Sequence, residues 1–248
     1  MTSTPRPLVL GHRGASADHP ENTQEAFAGA VEQGADGVEL DVRINRFGEL
    51  IVHHDAWYRD GRTVWDVALG DAPAGTCDLA AALEVCAGLL VNVEIKNDPS
   101  DLGGDHVPHS SEVADAVVDL LGARGGADRV IVSSFHAATL ARIVERDPGL
   151  PTGFLTPDPG AVPDLLARLA DAGHTALHPW DPCVDAGLVE RCVDRGLEVN
   201  TWTVDDPARA VELAAMGVAG IITNVPALVL GALPGALPGA SDPSGEVS

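Results

Sequence analysis

The chain alternates short apolar runs with longer stretches in which apolar and polar residues recur at helical spacing. Apolar runs of roughly four to eight residues predict buried strands, and helical spacing predicts amphipathic helices. The predicted strands that alternate with helices number eight and begin near residues 8, 37, 89, 129, 151, 175, 197 and 218. This alternation is typical of an α/β protein with a parallel (β/α)₈ barrel, the TIM barrel, and a doubly wound open sheet is the alternative.

One domain is expected over residues 1–230, because a chain of 248 residues with 45 % hydrophobic content can bury a single large core. Residues 56–78 are irregular and rich in Asp and Gly, and they are predicted to form a short insertion after a β-hairpin. Residues 231–248 repeat Ala-Leu-Pro-Gly and then become polar, which predicts a disordered tail.

The hairpin is predicted from a glycine between two apolar runs, at Phe47-Gly48. A two-residue turn there places His54 opposite Asp41, with Cβ atoms roughly 5 Å apart. Phenylalanine is unfavourable at the first position of such a turn, which needs a positive φ. A three-residue turn with a glycine bulge would place His53 opposite Asp41 instead. The two-residue register is preferred, and the second register stays open.

The predicted strand from Gly37 to Arg43 carries two carboxylates. Side chains two residues apart on a strand face the same side, so Glu39 and Asp41 are expected to point together. Neighbouring carboxylates repel each other unless a proton or a cation lies between them. A hard divalent ion such as Mg²⁺ or Ca²⁺ meets that need, whereas a solvated strand edge is the alternative for an isolated pair.

Other charged residues fall at the carboxyl ends of further predicted strands. One strand ends in Glu94 and Lys96, and the first strand runs into His12 and Arg13 between two glycines. In a parallel barrel these strand ends meet at one mouth, where catalytic residues lie. Glu94 is therefore expected to join the two carboxylates of the earlier strand as a third ligand of the divalent metal ion.

The remaining candidate residues suit chemistry at a phosphodiester. His12 and His54 could divide acid and base work, because neutral and protonated imidazole coexist near pH 7. Arg13 and Lys96, the latter the only lysine of the chain, are expected to pair with an anionic substrate such as a phosphate. Trp202 at a predicted strand end is a candidate substrate contact, with core packing as an equal alternative.

Composition excludes several classes of partner. Lys and Arg number 15 against 37 Asp and Glu, a formal charge of -22, which disfavours nucleic acid and stable association with anionic membranes. The four cysteines form no Cys-x-x-Cys pair, so a zinc site is not expected. Without a signal peptide or a long apolar stretch, the chain is predicted to be cytoplasmic with reduced thiols.

Several short motifs occur along the chain in a fixed order. They are Gly11-His12-Arg13-Gly14, Pro20-Glu21-Asn22-Thr23, Glu39-Leu40-Asp41-Val42, His54-Asp55, Glu94-Ile95-Lys96, Ser134-Phe135, Trp202-Thr203-Val204 and Thr223-Asn224-Val225-Pro226. The set resembles the glycerophosphodiester phosphodiesterase family over roughly residues 8–230, and it is specific although each motif alone is weak.

The resemblance implies a (β/α)₈ barrel that hydrolyses glycerophosphodiesters to glycerol 3-phosphate and an alcohol, with a divalent metal ion. It implies acid and base roles for His12 and His54, and metal binding by Glu39, Asp41 and Glu94. A small-molecule glycerophosphodiester is therefore the expected substrate.

The chain departs from the family pattern in three places. Phe47-Gly48 stands where the family usually has Asp-Gly, and Asn224 stands where it usually has Asp. The insertion after His54-Asp55 is also short. Two other functions are considered: a barrel phosphodiesterase that acts on intact phospholipid, of the phospholipase C or lysophospholipase D type, and a non-catalytic barrel that binds phosphorylated metabolites.

Overall fold

Eight parallel strands and one antiparallel strand form a single sheet in the computed structural model, which describes residues 6–97, 110–125 and 129–234. The strands are β1 (Leu8–His12), β2 (Gly37–Ile44), β3 (Leu50–Val52), β4 (Leu90–Ile95), β5 (Val130–Ser134), β6 (Thr152–Thr156), β7 (Ala176–Pro179), β8 (Glu198–Thr201) and β9 (Gly220–Thr223). The helices are α1 (Gln24–Glu32), α2 (Leu79–Val85), α3 (Ser110–Arg124), α4 (Ala137–Arg146), α5 (Leu165–Asp171), α6 (Ala186–Val193), α7 (Pro207–Met216) and α8 (Pro226–Ala232).

The sheet closes because β1 pairs in parallel with both of its neighbours. Gly11 lies opposite Thr223 of β9, and His12 lies opposite Glu39 of β2. An open doubly wound sheet would leave β1 or β9 with a free edge, so the predicted (β/α)₈ barrel is confirmed. Only β3 is antiparallel, and it extends the sheet beyond β2 as the second strand of the predicted hairpin.

Strand β2 shows how the two faces of the barrel wall are used. All eight of its residues are buried, because the helices cover one face and the barrel interior covers the other. Val38, Leu40 and Val42 belong to the apolar core that also contains residues of the outer helices. The alternate residues Glu39 and Asp41 therefore face the interior, as the strand period requires.

The hairpin adopts the three-residue register, and the preferred two-residue register is wrong. Ile44 pairs with Leu50 and Val42 pairs with Val52, and the amide of His53 donates to the carbonyl of Asp41 at 3.0 Å. The reason is the buried Asn45, whose Oδ1 accepts hydrogen bonds from the backbone amides two and four residues later. This side chain stabilises a turn with glycine at its last position, so phenylalanine needs no positive φ.

The insertion after the hairpin has a small core of its own. Ile51 of β3 packs with Tyr58, Val64 and Val67, all of them buried. Asn45 Nδ2 also donates to the carbonyl of Val67 at 2.9 Å. The turn and the insertion are therefore joined by the same side chain.

The end of the chain differs from its prediction at three residues. Helix α8 includes Gly231 and Ala232, and Leu233 after it is buried in the core, although the sequence pattern assigned all three to the disordered tail. Residues 235–248 of the predicted tail lie outside the described residues, as do residues 98–109. Among the residues that the structure describes, no helix has the length and apolar composition needed to cross a membrane.

The Asn45→Ala variant is expected to lose about 2–4 kcal/mol of unfolding free energy, because several buried polar groups lose their partner at once. Urea denaturation followed by circular dichroism measures the loss. Phe47→Ser is the matched control, since Phe47 lies in the same turn and is exposed. Equal stability of the Asn45→Ala and Phe47→Ser proteins would contradict the role given to Asn45.

Candidate active site

Three buried carboxylates lie together in the barrel, on neighbouring strands. Glu39 and Asp41 belong to β2 and Glu94 belongs to β4, and the register places Asp41 beside Glu94. One oxygen from each of the three lies within 4.8 Å of the others. Their exposed fractions are 2 %, 1 % and 8 %. The structure thus brings together all three residues that the sequence predicted as metal ligands.

The electrostatics of this cluster favour a cation. Burial raises the pKa of Glu39 well above its usual value, and the charges of Asp41 and Glu94 raise it further. Burial and the charge of Asp41 together raise the pKa of Glu94 to about 7. The buried Oε1 of Glu39 has no hydrogen-bond partner among the described residues. A set of oxygen ligands with excess negative charge and an unused acceptor fits a hard divalent cation.

Asn22 orients Asp41, a role that sequence reasoning missed. Its Nδ2 donates to Asp41 Oδ2 at 2.7 Å, and its Oδ1 accepts from the Asp41 amide at 3.1 Å. The next residue, Thr23, is the N-cap of α1. The motif Pro20-Glu21-Asn22-Thr23 carried the signal, but only the fold shows that one residue caps and its neighbour points into the barrel.

Arg13 contacts both carboxylates of β2. Its backbone amide donates to Glu39 Oε2 at 2.9 Å, and its guanidinium lies 3.2 Å from Asp41 Oδ2 and 3.0 Å from Glu21 Oε2. Arg13 and Asn22 both adopt left-handed backbone with φ of 57°, a conformation that is uncommon for residues other than glycine. The loop after β1 is therefore held in a constrained form against the carboxylates.

Lys96 directly follows β4 and pairs with the third carboxylate. Its Nζ lies 2.8 Å from Glu94 Oε1 and 5.5 Å from the ring centre of Phe135. The ring of Phe135 in turn meets Trp202 edge to face at 5.6 Å. The indole N–H of Trp202 donates to the carbonyl of His178 at 2.9 Å. Lys96 and Trp202 thus lie at the mouth where they were expected, and both already have protein partners.

A cavity of about 420 Å³ adjoins Glu94 and Lys96 at this mouth. Phe135, Phe154 and Val162 form part of its lining. This combination of one charged wall and apolar walls offers room for the organic part of a bound molecule beside the carboxylates.

His12 is oriented by Asn224, a second positioning residue that sequence reasoning missed. Asn224 Nδ2 donates to Asp205 Oδ2 at 2.7 Å, which turns Asn224 Oδ1 towards His12 Nδ1 at 2.8 Å. An amide oxygen only accepts, so His12 Nδ1 carries the proton. The other ring nitrogen, Nε2, lies 3.9 Å from Glu39 Oε2. Burial and the charge of Arg13 lower the pKa of His12, and its Nε2 therefore remains an acceptor.

His54 follows β3 at the same end of the barrel as the carboxylates. Its Nδ1 lies 2.7 Å from Asp55 Oδ1, and the hydrogen bond from His54 is the main reason that the pKa of Asp55 is lowered. The neighbouring His53 instead packs its ring against Tyr58 at 4.8 Å. The side chain of His54 is partly exposed, at 32 %.

The buried Arg43 ties together the two loops that carry His54 and Lys96. Its Nε and Nη2 donate to the carbonyl of His54 at 2.8 and 2.6 Å, and its Nη1 donates to the carbonyl of Lys96 at 3.1 Å. Arg43 continues the same face of β2 as Glu39 and Asp41. The period-two pattern could have indicated this position, although not its two carbonyl partners.

Comparison with known proteins identifies the family. The model of the Glycerophosphoryl diester phosphodiesterase family matches residues 12–228. A glycerophosphodiester phosphodiesterase of Caldanaerobacter subterraneus is 30 % identical over 245 residues, covering 88 % of this chain and 94 % of that protein.

Two solved structures share the fold. That of a glycerophosphodiester phosphodiesterase from Thermotoga maritima has a TM-score of 0.73 at 27 % identity and covers 92 % of this chain and 98 % of the other. A phosphodiesterase of Oleispira antarctica, solved with the product sn-glycerol-3-phosphate, has a TM-score of 0.82 at 23 % identity, with coverages of 92 % and 96 %. The match of the family model over most of the chain, together with the relative at 30 % identity, shows that this protein belongs to the glycerophosphodiester phosphodiesterase family.

Proposed function

We propose that this enzyme hydrolyses glycerophosphodiesters to glycerol 3-phosphate and an alcohol at the mouth formed by β1, β2 and β4. The observation that carries the proposal is the buried set of Glu39, Asp41 and Glu94 with the acceptor nitrogen of His12 facing it. Family membership supports the reaction class, and the product bound to the Oleispira phosphodiesterase is consistent with the release of glycerol 3-phosphate.

Glu39, Asp41 and Glu94 would hold one divalent metal ion, either Mg²⁺ or Ca²⁺. When bound, such an ion neutralises charge on the phosphoryl oxygens and so lowers the barrier to displacement. Asn22 keeps Asp41 oriented for this role, because it bonds both the side chain and the backbone of Asp41. Positioning partners of this kind preserve the geometry of ligands.

Proton transfer is assigned to the two histidines. In a two-step path, His12 Nε2 is the base that takes the proton of the glycerol hydroxyl that attacks phosphorus and displaces the alcohol, because Asn224 holds the proton of this ring on Nδ1. Water then opens the resulting cyclic phosphate to glycerol 3-phosphate. His54 is the acid that gives a proton to the oxygen of the leaving alcohol. Asp55 Oδ1 lies 2.7 Å from His54 Nδ1 and stabilises the protonated ring. Arg43 donates to the backbone carbonyl of His54 and so fixes the position of this residue.

Arg13, Lys96 and Trp202 are proposed to contact the substrate. Arg13 and Lys96 supply positive charge beside the carboxylates, which suits a phosphate in an otherwise acidic protein. Trp202 presents an amphipathic ring near Phe135, and the cavity beside Lys96 would receive an organic group of the substrate.

We further propose a single domain over residues 1–230, extended by three residues through Leu233, with the tail as a separate segment. The pairing of β1 with β9 supports this boundary, since it joins the two ends of the barrel. We propose a cytoplasmic location, which the four free cysteines support. We also propose that the enzyme binds no nucleic acid and does not associate stably with membranes.

The central test is a coupled assay for glycerol 3-phosphate on a panel of glycerophosphodiesters that differ in the alcohol, with and without chelator. The wild-type enzyme is expected to release glycerol 3-phosphate, and chelation is expected to abolish the release until Mg²⁺ or Ca²⁺ is restored. Glu39→Gln should lower kcat by about 100-fold or more, because it removes a charged metal ligand.

Glu32→Gln is the matched control, since Glu32 is an exposed glutamate on α1, and it should retain full activity. Turnover that survives complete chelation would refute the metal role. Cleavage restricted to intact phospholipid vesicles would favour the phospholipid-acting alternative.

His54→Asn is expected to lower kcat by about 10²–10⁴-fold, as loss of an acid–base group does, while His53→Asn should stay within about tenfold of wild type. The two histidines are adjacent, so the pair controls for local disturbance. Substrates with a better leaving group should recover much of the activity of His54→Asn, because they need less protonation. The assignment fails if His53→Asn is the more damaged variant.

Metal-induced stabilisation should grow with pH. The folded protein keeps a proton on Glu94 up to a pKa of about 7, against a usual value of 4.5. Without metal, unfolding free energy is therefore lost as pH rises through that window. Metal binding must displace the proton, so saturating Mg²⁺ or Ca²⁺ is expected to raise Tm by about 5–10 °C near pH 8 and by much less near pH 5.

Differential scanning fluorimetry across this pH range measures the difference between chelated and metal-loaded protein. Glu94→Gln should reduce the dependence without abolishing it, because the raised pKa of Glu39 remains, whereas Glu32→Gln should leave it unchanged. A metal-induced shift that is the same at pH 5 and pH 8 would contradict the raised pKa of Glu94 as its source.

A further inference from the structure

A second cavity opens at the opposite end of the barrel from the candidate active site. Its volume is about 680 Å³, and its lining comes from the first residues of the strands. The apolar part of the lining includes Leu10, Leu90, Ile131 and Ile222. Side chains normally fill this end of a TIM barrel in packed layers, whereas a volume of this size lies within the range of small-molecule pockets.

Two buried polar side chains in the lining have atoms without a partner in the described parts of the chain. Asn92 is 1 % exposed, and neither its Oδ1 nor its Nδ2 has a hydrogen bond. His178 is also 1 % exposed, and its Nδ1 has none. A buried amide or imidazole that lacks a hydrogen-bond partner costs of order 1–3 kcal/mol, so these groups point to a polar occupant.

The protonation state of His178 defines what it offers to a ligand. Asn200 Nδ2 donates to His178 Nε2 at 3.0 Å, so the ring proton lies on Nδ1. Burial lowers the pKa of His178 to about 3, which keeps the ring neutral. His178 therefore presents one N–H donor, and Asn92 presents one donor group and one acceptor.

Glycines on the neighbouring strands make room for the polar groups. A Cβ at Gly153 would lie 2.3 Å from His178 Nε2, and a Cβ at Gly220 would lie 2.5 Å from Asn200 Oδ1. No side chain can replace either glycine without displacing the His178–Asn200 pair. The sequence thus places glycine where a barrel interior usually has a bulky branched residue.

We propose that this cavity is a binding site for a small uncharged aliphatic alcohol or diol, whose hydroxyl groups bond Asn92 and His178 and whose carbons pack against Leu90 and Ile131. A hydroxyl group both donates and accepts, so it can satisfy either side chain. The apolar walls favour contact with a carbon chain. Water molecules alone would find no hydrogen-bond partners along these walls.

Anions do not fit this site. The charged residues in its lining are Arg6, which is paired with Asp36 at 2.6 Å, and Glu198. A carboxylate or phosphate drawn into the cavity would meet no available cation there, and burying an uncompensated charge is strongly unfavourable. The site therefore differs in chemistry from the phosphate-binding mouth and is independent of the reaction proposed there.

The experiment follows the His178 Nδ1–H proton by NMR while 1,6-hexanediol is added to the metal-loaded enzyme saturated with glycerol 3-phosphate. Saturable shifts with a Kd of about 1 mM or tighter are expected, since a ligand of this size reaches that affinity in a matched pocket. Adipate, the matched dianion, should bind at least about tenfold more weakly.

His178→Leu and Ile131→Phe, assayed by ligand-detected NMR, should each weaken 1,6-hexanediol at least about tenfold, the first by removing a donor and the second by filling the cavity. His19→Leu, a histidine substitution on the loop before α1, should leave affinity unchanged. A wild-type crystal soaked in 6-bromo-1-hexanol should show bromine density between Leu90 and Ile131, whichever variants fold. Absence of saturable binding to the wild-type enzyme, or wild-type affinity in both His178→Leu and Ile131→Phe, would overturn the proposal.

Discussion

Three carboxylates that share a few ångströms of buried space are the constraint around which this enzyme is organised. Glu39, Asp41 and Glu94 cannot all be ionised in a dry barrel without a compensating positive charge. Arg13 and Lys96 supply part of that positive charge. The repulsion that remains, together with burial, raises the pKa of Glu39 and of Glu94. A divalent cation would remove the conflict, so the energetic cost of the apo cluster favours the metal site proposed here.

The residues around the cluster show how a barrel maintains such a site. Asn22 and Asn224 carry no charge, yet each fixes the direction of a group with a proposed chemical role, Asp41 for Asn22 and His12 for Asn224. Arg43 binds two backbone carbonyls and so sets where two loops end. These contacts come from different βα units. Their combined effect is a rigid mouth, which is needed because catalytic geometry tolerates little displacement.

The two ends of the barrel have separate chemistry although they share strands. On β4 the inward positions run from Asn92 to Glu94, from an uncharged amide to a carboxylate of the buried cluster. Catalytic groups gather at the carboxyl end, where the strand ends and their loops meet. At the amino end glycines and neutral polar groups leave space instead, and the charged residues found there lie at the rim.

Periodicity and motif order were sufficient to predict the closed barrel, the clustering of the three carboxylates and the position of His12, because these depend on strand period and on where parallel strands end. The hairpin register was not predictable from Phe47-Gly48, since the buried Asn45 decides it through contacts with the insertion. The partners of Asn22, Arg43 and Asn224 were equally out of reach. The local sequence determined which face of its strand each side chain lies on. Contacts between residues far apart in the chain decided which polar groups meet, because a hydrogen bond requires a short distance that only the closed fold provides.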